Sequence, residues 1–535
     1  MATGCRRRWV RESSLDVSPA TDHSKQLCAG LPTPHGPDRR SPPLPKAKSV
    51  FQRRQNRYYA TVIIRQPIRN LLGIIMPRML ILLCCLSTPL FAIQAAGGAD
   101  AGKPNVLFLF TDDPRADTIA ALGNKHIQTP NLDELVRSGF VFHNAYCMGS
   151  TMPAVCNPSR HMMHSGMSLF RYDPKQIQGT FGETMKRAGY YTYHESKRGN
   201  TPHTYHTAYD KSRYLNDQAE RTSGHHGRTA AVHAVKFLKD YDRDQPFFMY
   251  IGFAGPHDPR VAAEEWKSLY DPAGLPLPGN YKPVHPFDNG EMVIRDEQLA
   301  PWPRTEEVVR EHLHDYYACI SSIDHNIGRI IAALKETGQF ENTIIVFSSD
   351  HGLAVGSHGL FGKQSLYEHS MNSPLIFSGP RIPHGESDAL CYLFDIFPTV
   401  CDLVGAPIPE GIDGKSLVPV IEGKAEGVRD TLFFAYRDVM RAVRQGDWKL
   451  IRYPQVNVTQ LFNLREDPLE LNNLSVSNPE QADRMIELLI KQQDAYDDKQ
   501  PLVVENPQPA AITVEMINKA AEQAATKKRK AKRRK

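Results

Sequence analysis

The body of this chain lacks an excess of positive charge, although the formal net charge of the 535 residues is +5. Residues 1–75 carry 14 Lys/Arg against 4 Asp/Glu, and residues 527–535 contain eight Lys/Arg. The long stretch between these two ends is therefore acidic. Because nucleic-acid binding relies on clustered positive charge, we expect no nucleic acid as the main partner of the folded part.

Long apolar runs are also scarce. The run at 79–93 has a basic residue ahead of it, Arg78, and small residues after it, which predicts a secretory signal at 76–96. It is too short for a stable membrane span, and Pro89 interrupts it. Signals begin at the N-terminus, so we expect residues 1–75 to be disordered or not made, with Met76 as the start. The protein is expected to be secreted or periplasmic.

Cysteine is sparse, and only five cysteines follow the signal. Cys391 and Cys401 are close in sequence and could pair in an oxidising compartment. Free buried cysteines are an equally good interpretation. The five are Cys147, Cys156, Cys319, Cys391 and Cys401.

Strand and helix patterns alternate along residues 103–427, which predicts one α/β domain. Continuous apolar runs, such as 105–110, are typical of parallel strands buried on both faces. Helical periodicity separates them, so we expect a large, mostly parallel sheet sandwiched by helices. The predicted strands are 105–110, 190–193, 246–253 and 343–348, and the predicted helices are 130–138, 182–188, 229–241 and 312–337.

The pattern changes after residue 427. Short strand candidates at 431–436, 440–444, 448–453 and 460–463, followed by a helix at 481–496, predict a smaller antiparallel subdomain over 428–500. Beyond it, proline and a Lys/Arg run predict a disordered basic tail at 501–535. The Pro/Gly-rich stretch 260–303 is predicted to be a long functional loop.

Acidic residues follow two of the buried strands. Asp112 and Asp113 come after the first strand, and Asp350 and His351 follow the strand at 343–348. Open α/β sheets place ligand groups at the carboxyl ends of their strands. An isolated Asp-Asp is more often a helix cap beside a solvated acid. Two acidic sites at two strand ends could instead converge on one hard cation such as calcium or magnesium.

The segment Cys156-Asn157-Pro158-Ser159-Arg160 adds the most specific signal. Together with four further elements in the same order, it resembles the sulfatase family over most of residues 103–475. That resemblance implies an alkaline-phosphatase-like fold and hydrolysis of sulfate esters. The further elements are Thr111-Asp112-Asp113 with Thr129-Pro130-Asn131, Ser349-Asp350-His351-Gly352, Gly362-Lys363 with Tyr367-Glu368, and the stretches 395–399 and 467–474.

The resemblance implies that Cys156 is converted into formylglycine by a formylglycine-generating enzyme. The hydrated aldehyde is a gem-diol, whose oxygen attacks sulfur and whose second hydroxyl later releases sulfate. Arg160 is implied to stabilise the diol. The resemblance also implies one divalent cation, usually calcium, which lowers the pKa of the diol. Its ligands would be Asp112, Asp113, Cys156, Asp350 and His351.

Three further residues are implied to bind the sulfate or to transfer protons. Lys363 and Lys197 would bind sulfate oxygens, and His257 would protonate the departing alcohol. The family usually has a histidine two positions after the lysine that corresponds to Lys197, where this chain has Gly199. We expect Asn200 or His203 to take over its role.

The substrate class remains open at this level. A small-molecule or polysaccharide sulfate ester fits, with sulfated glycans favoured, and Arg115, Arg171 and Arg198 could contact a sulfated sugar. A formylglycine-dependent phosphate monoester or diester hydrolase is an alternative, because the same cationic site suits either anion. An unmodified Cys156 would instead leave a non-catalytic glycan-binding protein.

Overall fold

The computed structural model describes residues 102–172 and 179–534. The predicted N-terminal extension and the predicted signal at 76–96 lie outside the described residues. Within the described part, no helix is both long and apolar enough to cross a membrane.

A mostly parallel sheet of nine strands forms the centre of the described chain. The sheet is ordered β10-β2-β8-β7-β1-β6-β4-β5, with β9 beside β2, and only β8 runs antiparallel to its neighbours. Its strands are β1 (Asn105–Asp112), β2 (Phe140–Tyr146), β4 (Tyr191–Lys197), β5 (Lys211–Leu215), β6 (Phe247–Pro256), β7 (Thr343–Ser349), β8 (Asn372–Ser378), β9 (Gly385–Ser387) and β10 (Cys391–Tyr392).

Helices cover both faces of this sheet. On β1, Leu107 and Leu109 belong to one core while Phe108 and Phe110 belong to another, so the strand is buried on both sides. The predicted α/β class is therefore confirmed. The helices are α1 (Pro130–Ser138), α2 (Cys156–Ser165), α3 (Phe181–Arg187), α4 (His203–Thr207), α5 (Asp217–Thr222), α6 (Arg228–Lys239), α7 (Glu264–Lys267), α8 (Glu306–Glu336), α9 (Glu368–Met371), α10 (Ile396–Leu403), α11 (Val418–Ile421), α12 (Pro479–Ala495) and α13 (Val514–Arg534).

A second, smaller sheet follows, as predicted for residues 428–500. Its four antiparallel strands are joined by β3 (Gly149–Ser150), a strand from the first domain that pairs parallel to β11. Gly149 has φ of 108°, and a Cβ at this position would lie 2.0 Å from the carbonyl oxygen of Ala435, so only glycine fits. The four strands are β11 (Thr431–Tyr436), β12 (Met440–Gln445), β13 (Trp448–Tyr453) and β14 (Val458–Asn463).

The disordered tail predicted for 501–535 is wrong for much of its length. The carbonyl of Ala510 accepts a hydrogen bond from the amide of Asp288, 2.8 Å away, and helix α13 follows. Residues 514–534 are rich in Ala, Lys, Glu and Arg, which favour helix. Ile517, near the start of α13, is buried in the main core, so the start of this helix packs on the folded domain, whereas its later described residues are exposed or half-buried.

The possible disulfide between Cys391 and Cys401 is also not formed. All five cysteines that the structure describes are free and buried. The alternative of free buried cysteines is the one the structure supports.

Replacing Ile517 by alanine is expected to lower the free energy of unfolding by about 2–4 kcal/mol, because it leaves a cavity in a packed core. Ile517 is 1% exposed, whereas its neighbour Met516 is 52% exposed. Met516→Ala is therefore the matched control and should change stability by less than about 0.5 kcal/mol. Chemical denaturation of both variants measures the difference. Equal effects would mean that α13 does not pack as described.

Candidate active site

Three neighbouring strand ends bring the predicted acids together. Strand β1 pairs in parallel with β7 and with β6, and their registers align Thr111 with Ser349 and Asp112 with Pro256. Asp112 and Asp113 therefore lie beside Asp350, and the amide of Asp113 donates to Asp350 Oδ1 at 3.0 Å. The two predicted acidic sites therefore meet at one edge of the sheet, and that they hold one cation stays a prediction.

Cys156 lies at the centre of this cluster, as the first residue of α2. Its Sγ is 3.1 Å from His351 Nε2, 3.0 Å from Lys363 Nζ and 3.6 Å from Asp113 Oδ1. Burial raises the pKa of the Cys156 thiol well above its usual value, against the opposing effect of Lys363. The unmodified side chain is therefore a poor thiolate nucleophile.

The same cluster has the donor set of a divalent cation site. Ligand atoms of Asp113, Cys156, Asp350 and His351 all lie within 4.8 Å of one another. Asp112 is not in that group, but its buried Oδ1 has no hydrogen-bond partner. Buried carboxylate oxygens without partners suit a hard cation. The residues present thus fit the implied metal.

Cationic side chains compensate the buried carboxylates. Lys363 Nζ donates to Asp113 Oδ1 at 2.9 Å, and Lys197 Nζ donates to Asp112. Burial lowers the pKa of Lys197 to about 7. For Lys363, burial is outweighed by Asp113 and Cys156, which raise its pKa. These two amino groups lie at the cluster, where an anion would approach residue 156, and an anion bound there would favour the protonated form of Lys197.

Arg160 extends from α2 below the acidic cluster, and its implied role in stabilising the diol stays a prediction. Its guanidinium is fully buried beneath the acids, where Nε donates to Asp350 Oδ2 at 3.1 Å and Nη2 to the carbonyl of Thr111 at 3.3 Å. Nη1 contacts Tyr250 and Ser196. Among the described residues, no hydrogen bond joins Arg160 to Cys156. Its visible role is to hold Asp350.

His257 follows β6 and reaches the cluster, as predicted. Its Nδ1 is 2.8 Å from the carbonyl oxygen of Asp258 and 3.2 Å from Asp258 Oδ1, and Arg221 Nη1 lies 3.0 Å away. Burial, together with Lys363 and Lys197, holds the pKa of His257 well below its usual value. With Nδ1 engaged, Nε2 is the nitrogen left to act on a substrate.

His203, one of the two residues expected to replace the missing histidine, is exposed at the start of α4. Its role stays a prediction. The side chain of Asn200 lies outside what the structure describes. The prediction for Asn200 stays a prediction.

The three arginines proposed to contact a sugar differ in their surroundings. Arg115 pairs with Asp117 at 2.6 Å and Arg171 pairs with Asp413, so both already have carboxylate partners. Arg198 is exposed beside Lys197.

Sequence reasoning missed several residues that hold the site. They come from distant segments, and no motif marks them, although Asp258 could have been noticed because it follows His257. They are Ser196, Arg221, Tyr250, Asp258, Arg295, Asp296 and Gln364.

Two family models and several known proteins match the part of the chain that carries this site. The sulfatase family model matches residues 104–406, and the model for the C-terminal region of N-sulphoglucosamine sulphohydrolase matches 356–497. An N-acetylglucosamine-6-O-sulfatase of Bacteroides thetaiotaomicron is 26% identical, with 78% of this chain and 92% of that protein covered. A choline-sulfatase of Rhizobium meliloti is 28% identical, with 71% and 83% covered.

Solved structures share the fold. A protein in complex with its substrate D-glucosamine-2-N,6-O-disulfate superposes with a TM-score of 0.62 at 23% identity, covering 75% of this chain and 99% of that one. A phosphonate monoester hydrolase from Silicibacter pomeroyi also gives 0.62, at 21% identity with 74% and 96% covered. The family match spans more than half of the residues, and the chain belongs to the sulfatase family, a family of sulfuric ester hydrolases.

Proposed function

We propose that this protein hydrolyses sulfate esters of sugars, with a formylglycine made from Cys156 and one divalent cation, calcium, at the adjacent acids. The observation that carries the proposal is the position of Cys156, whose Sγ touches both a cation-site residue, His351, and the ammonium of Lys363. When present, formylglycine supplies a hydrated aldehyde as oxygen nucleophile, and the cation supplies Lewis acidity.

The remaining groups divide the other tasks. Lys363 and Lys197 bind and orient the anionic sulfate, since both amino groups are buried at the cluster and a bound anion favours their protonated form. Asp112, Asp113, Asp350 and His351 would hold the cation. His257 donates a proton from Nε2 to the departing sugar oxygen, and Asp258 holds Nδ1 on the opposite edge of the ring. Burial and the two lysines hold the pKa of His257 low in the free site. A bound sulfate stabilises the protonated imidazolium and therefore raises that pKa.

The choice of a sugar is supported by the relatives. The N-acetylglucosamine-6-O-sulfatase and the structure with D-glucosamine-2-N,6-O-disulfate both bear names of sulfated sugars. We further propose that the protein is secreted or periplasmic, which rests on the pattern at 76–96. N-terminal sequencing of the exported protein tests this, and a mature chain that keeps Arg6–Arg8 would contradict it.

A phosphate or phosphonate ester hydrolase is the second candidate, favoured by the phosphonate monoester hydrolase of similar fold. Kinetics on 4-nitrophenyl sulfate and 4-nitrophenyl phosphate, with the metal-loaded protein, separate the two. We expect the larger kcat/KM on the sulfate ester, and a larger value on the phosphate would overturn the proposal. If peptide mass analysis finds only unmodified cysteine at residue 156, the proposed nucleophile is absent, and the protein is not a formylglycine-dependent hydrolase of either ester.

A further inference from the structure

Three consecutive residues of the insertion at 260–303 connect the loops that carry the site. They are Arg295, Asp296 and Glu297, at a short turn. Glu297 accepts hydrogen bonds from the amides of Phe361 and Gly362, at 3.0 and 2.8 Å. These amides immediately precede Lys363. The predicted functional loop is thus anchored directly beside a residue that we propose binds sulfate.

Asp296 extends this anchor toward Cys156. Its Oδ2 accepts from Gln364 Nε2 at 2.8 Å, and the same nitrogen donates to the carbonyl of Pro153 at 3.3 Å. Gln364 therefore joins the Lys363 loop to the segment that leads into α2. Asp296 and Glu297 are both buried, so these contacts are part of the packed interior.

Arg295 forms the connection to His257. Its Nη2 donates to Asp258 Oδ1 at 2.9 Å and its Nε to Asp296 Oδ1 at 2.6 Å. Asp258 Oδ1 is the same atom that lies 3.2 Å from His257 Nδ1. Arg221 instead donates to the backbone carbonyl of Asp258, at 2.8 Å. Among the described residues, Arg295 is the one cationic side chain, apart from His257 itself, that holds the Asp258 carboxylate.

We propose that Arg295 is a positioning residue: through Asp258 it orients the imidazole of His257, so that Nε2 can deliver a proton to the leaving oxygen. This inference rests on the proposed function, because it assigns a role within the same reaction. Without Arg295, the Asp258 carboxylate loses the one cationic donor that holds it among the described residues, and it can rotate away from Nδ1. The ring then keeps the backbone carbonyl of Asp258 and Arg221 beside Nδ1, but it loses the anionic contact that helps to fix its orientation.

Leaving groups of different basicity reveal this role. A sugar alkoxide is strongly basic and needs a proton as the ester bond breaks, whereas 4-nitrophenolate is weakly basic and leaves almost without one. Arg295→Gln is therefore expected to lower kcat on a 6-O-sulfated glucosamine by about 10- to 100-fold. On 4-nitrophenyl sulfate the same variant should keep kcat within about threefold, and KM should change little on either ester.

Two further variants and a control make the test specific. Arg295→Lys keeps a cationic donor and should recover part of the lost kcat. In a His257→Gln background, Arg295→Gln should have little further effect, since the two residues act as one unit. The control is Arg310→Gln, which removes a partly exposed arginine paired with Glu306 at 3.0 Å and should alter neither substrate. The Arg295 side chain is 55% exposed, so its loss is compatible with folding.

Each other outcome has a defined meaning. Equal loss on both esters, or additive loss in the His257→Gln background, would overturn the positioning role and leave the proposed function intact. A higher KM for the sugar with unchanged kcat would instead make Arg295 a substrate contact, which also overturns it. If the wild-type protein with confirmed formylglycine turned over neither ester, the proposed function and this inference would both fail.

Discussion

Replacing Cys156 by serine is expected to abolish multiple turnover of sulfate esters, with a loss on the order of 10⁴ or more. Serine fits the space of the cysteine at the start of α2, and it can still approach Lys363 and His351. Its product with sulfate, however, would be an ordinary ester, with no second hydroxyl on the same carbon to release the sulfate. The variant should therefore stop after at most one turnover.

Two measurements separate this loss from misfolding. Peptide mass analysis should find an aldehyde in place of the thiol at residue 156 of the wild type, and an unmodified or sulfated serine in the variant. Cys147→Ser is the matched control, because Cys147 is also buried and lies nine positions earlier. It should remain active if its melting temperature is close to that of the wild type. Sustained wild-type turnover by Cys156→Ser would falsify the proposed mechanism.

Replacing Asp350 by asparagine is expected to cause the second large loss. Asp350 is fully buried, and although burial raises its pKa, His351, Arg160, Lys197 and Lys363 together lower it to about 2. The carboxylate is thus ionised at every working pH. Asparagine keeps the shape but removes the charge, which takes from Arg160 its nearer carboxylate partner and leaves only Asp112, at 3.8 Å, among the described residues. Affinity for the cation should fall by at least about 100-fold, and turnover should fall with it.

Metal content after dialysis, and calorimetric titration with calcium, measure this effect directly. Asp324→Asn is a suitable control, since Asp324 is a buried carboxylate that binds Asn131 and the amide of Leu132 instead of the cluster. It should change stability and leave the metal content unchanged. An Asp350→Asn protein with full calcium occupancy and unaltered affinity would show that the cation does not depend on this carboxylate.

The acidic cluster could be predicted because its chemistry follows strand ends. Strand β1 contains a continuous apolar run and ends at Asp112, with Asp113 directly after it, so the pattern in the chain already locates the acids at one edge of the sheet. The same reasoning placed Asp350 after β7 and His257 after β6. Local sequence was sufficient wherever a buried strand ended directly in a functional group.

The supporting contacts could not be predicted, because they join distant segments without any periodic signal. Asp258 meets Arg295 across the insertion, and Arg160 meets Asp350 across most of the first domain. The motif gives the residue type at position 160 but not its contacts, so the hydrogen bond from Arg160 to Asp350 was not predicted, and the role of Arg160 in stabilising the diol stays a prediction. Helix α13 was not predicted, because its many Lys and Arg residues indicated a solvated tail and Ile517 is its only buried residue among those that the structure describes.

Strand β3 has a consequence for the order of events during synthesis. Ser150 pairs with Tyr436, so the segment leading into Cys156 completes its pairing only when a strand far along the chain has been made. Closing so long a loop is slow compared with forming local helices. The finished site leaves Cys156 only 4% exposed, so we expect this thiol to be more accessible in a chain that has not yet folded. Any enzyme that modifies this thiol therefore has its opportunity before β11 arrives, and folding itself ends that opportunity.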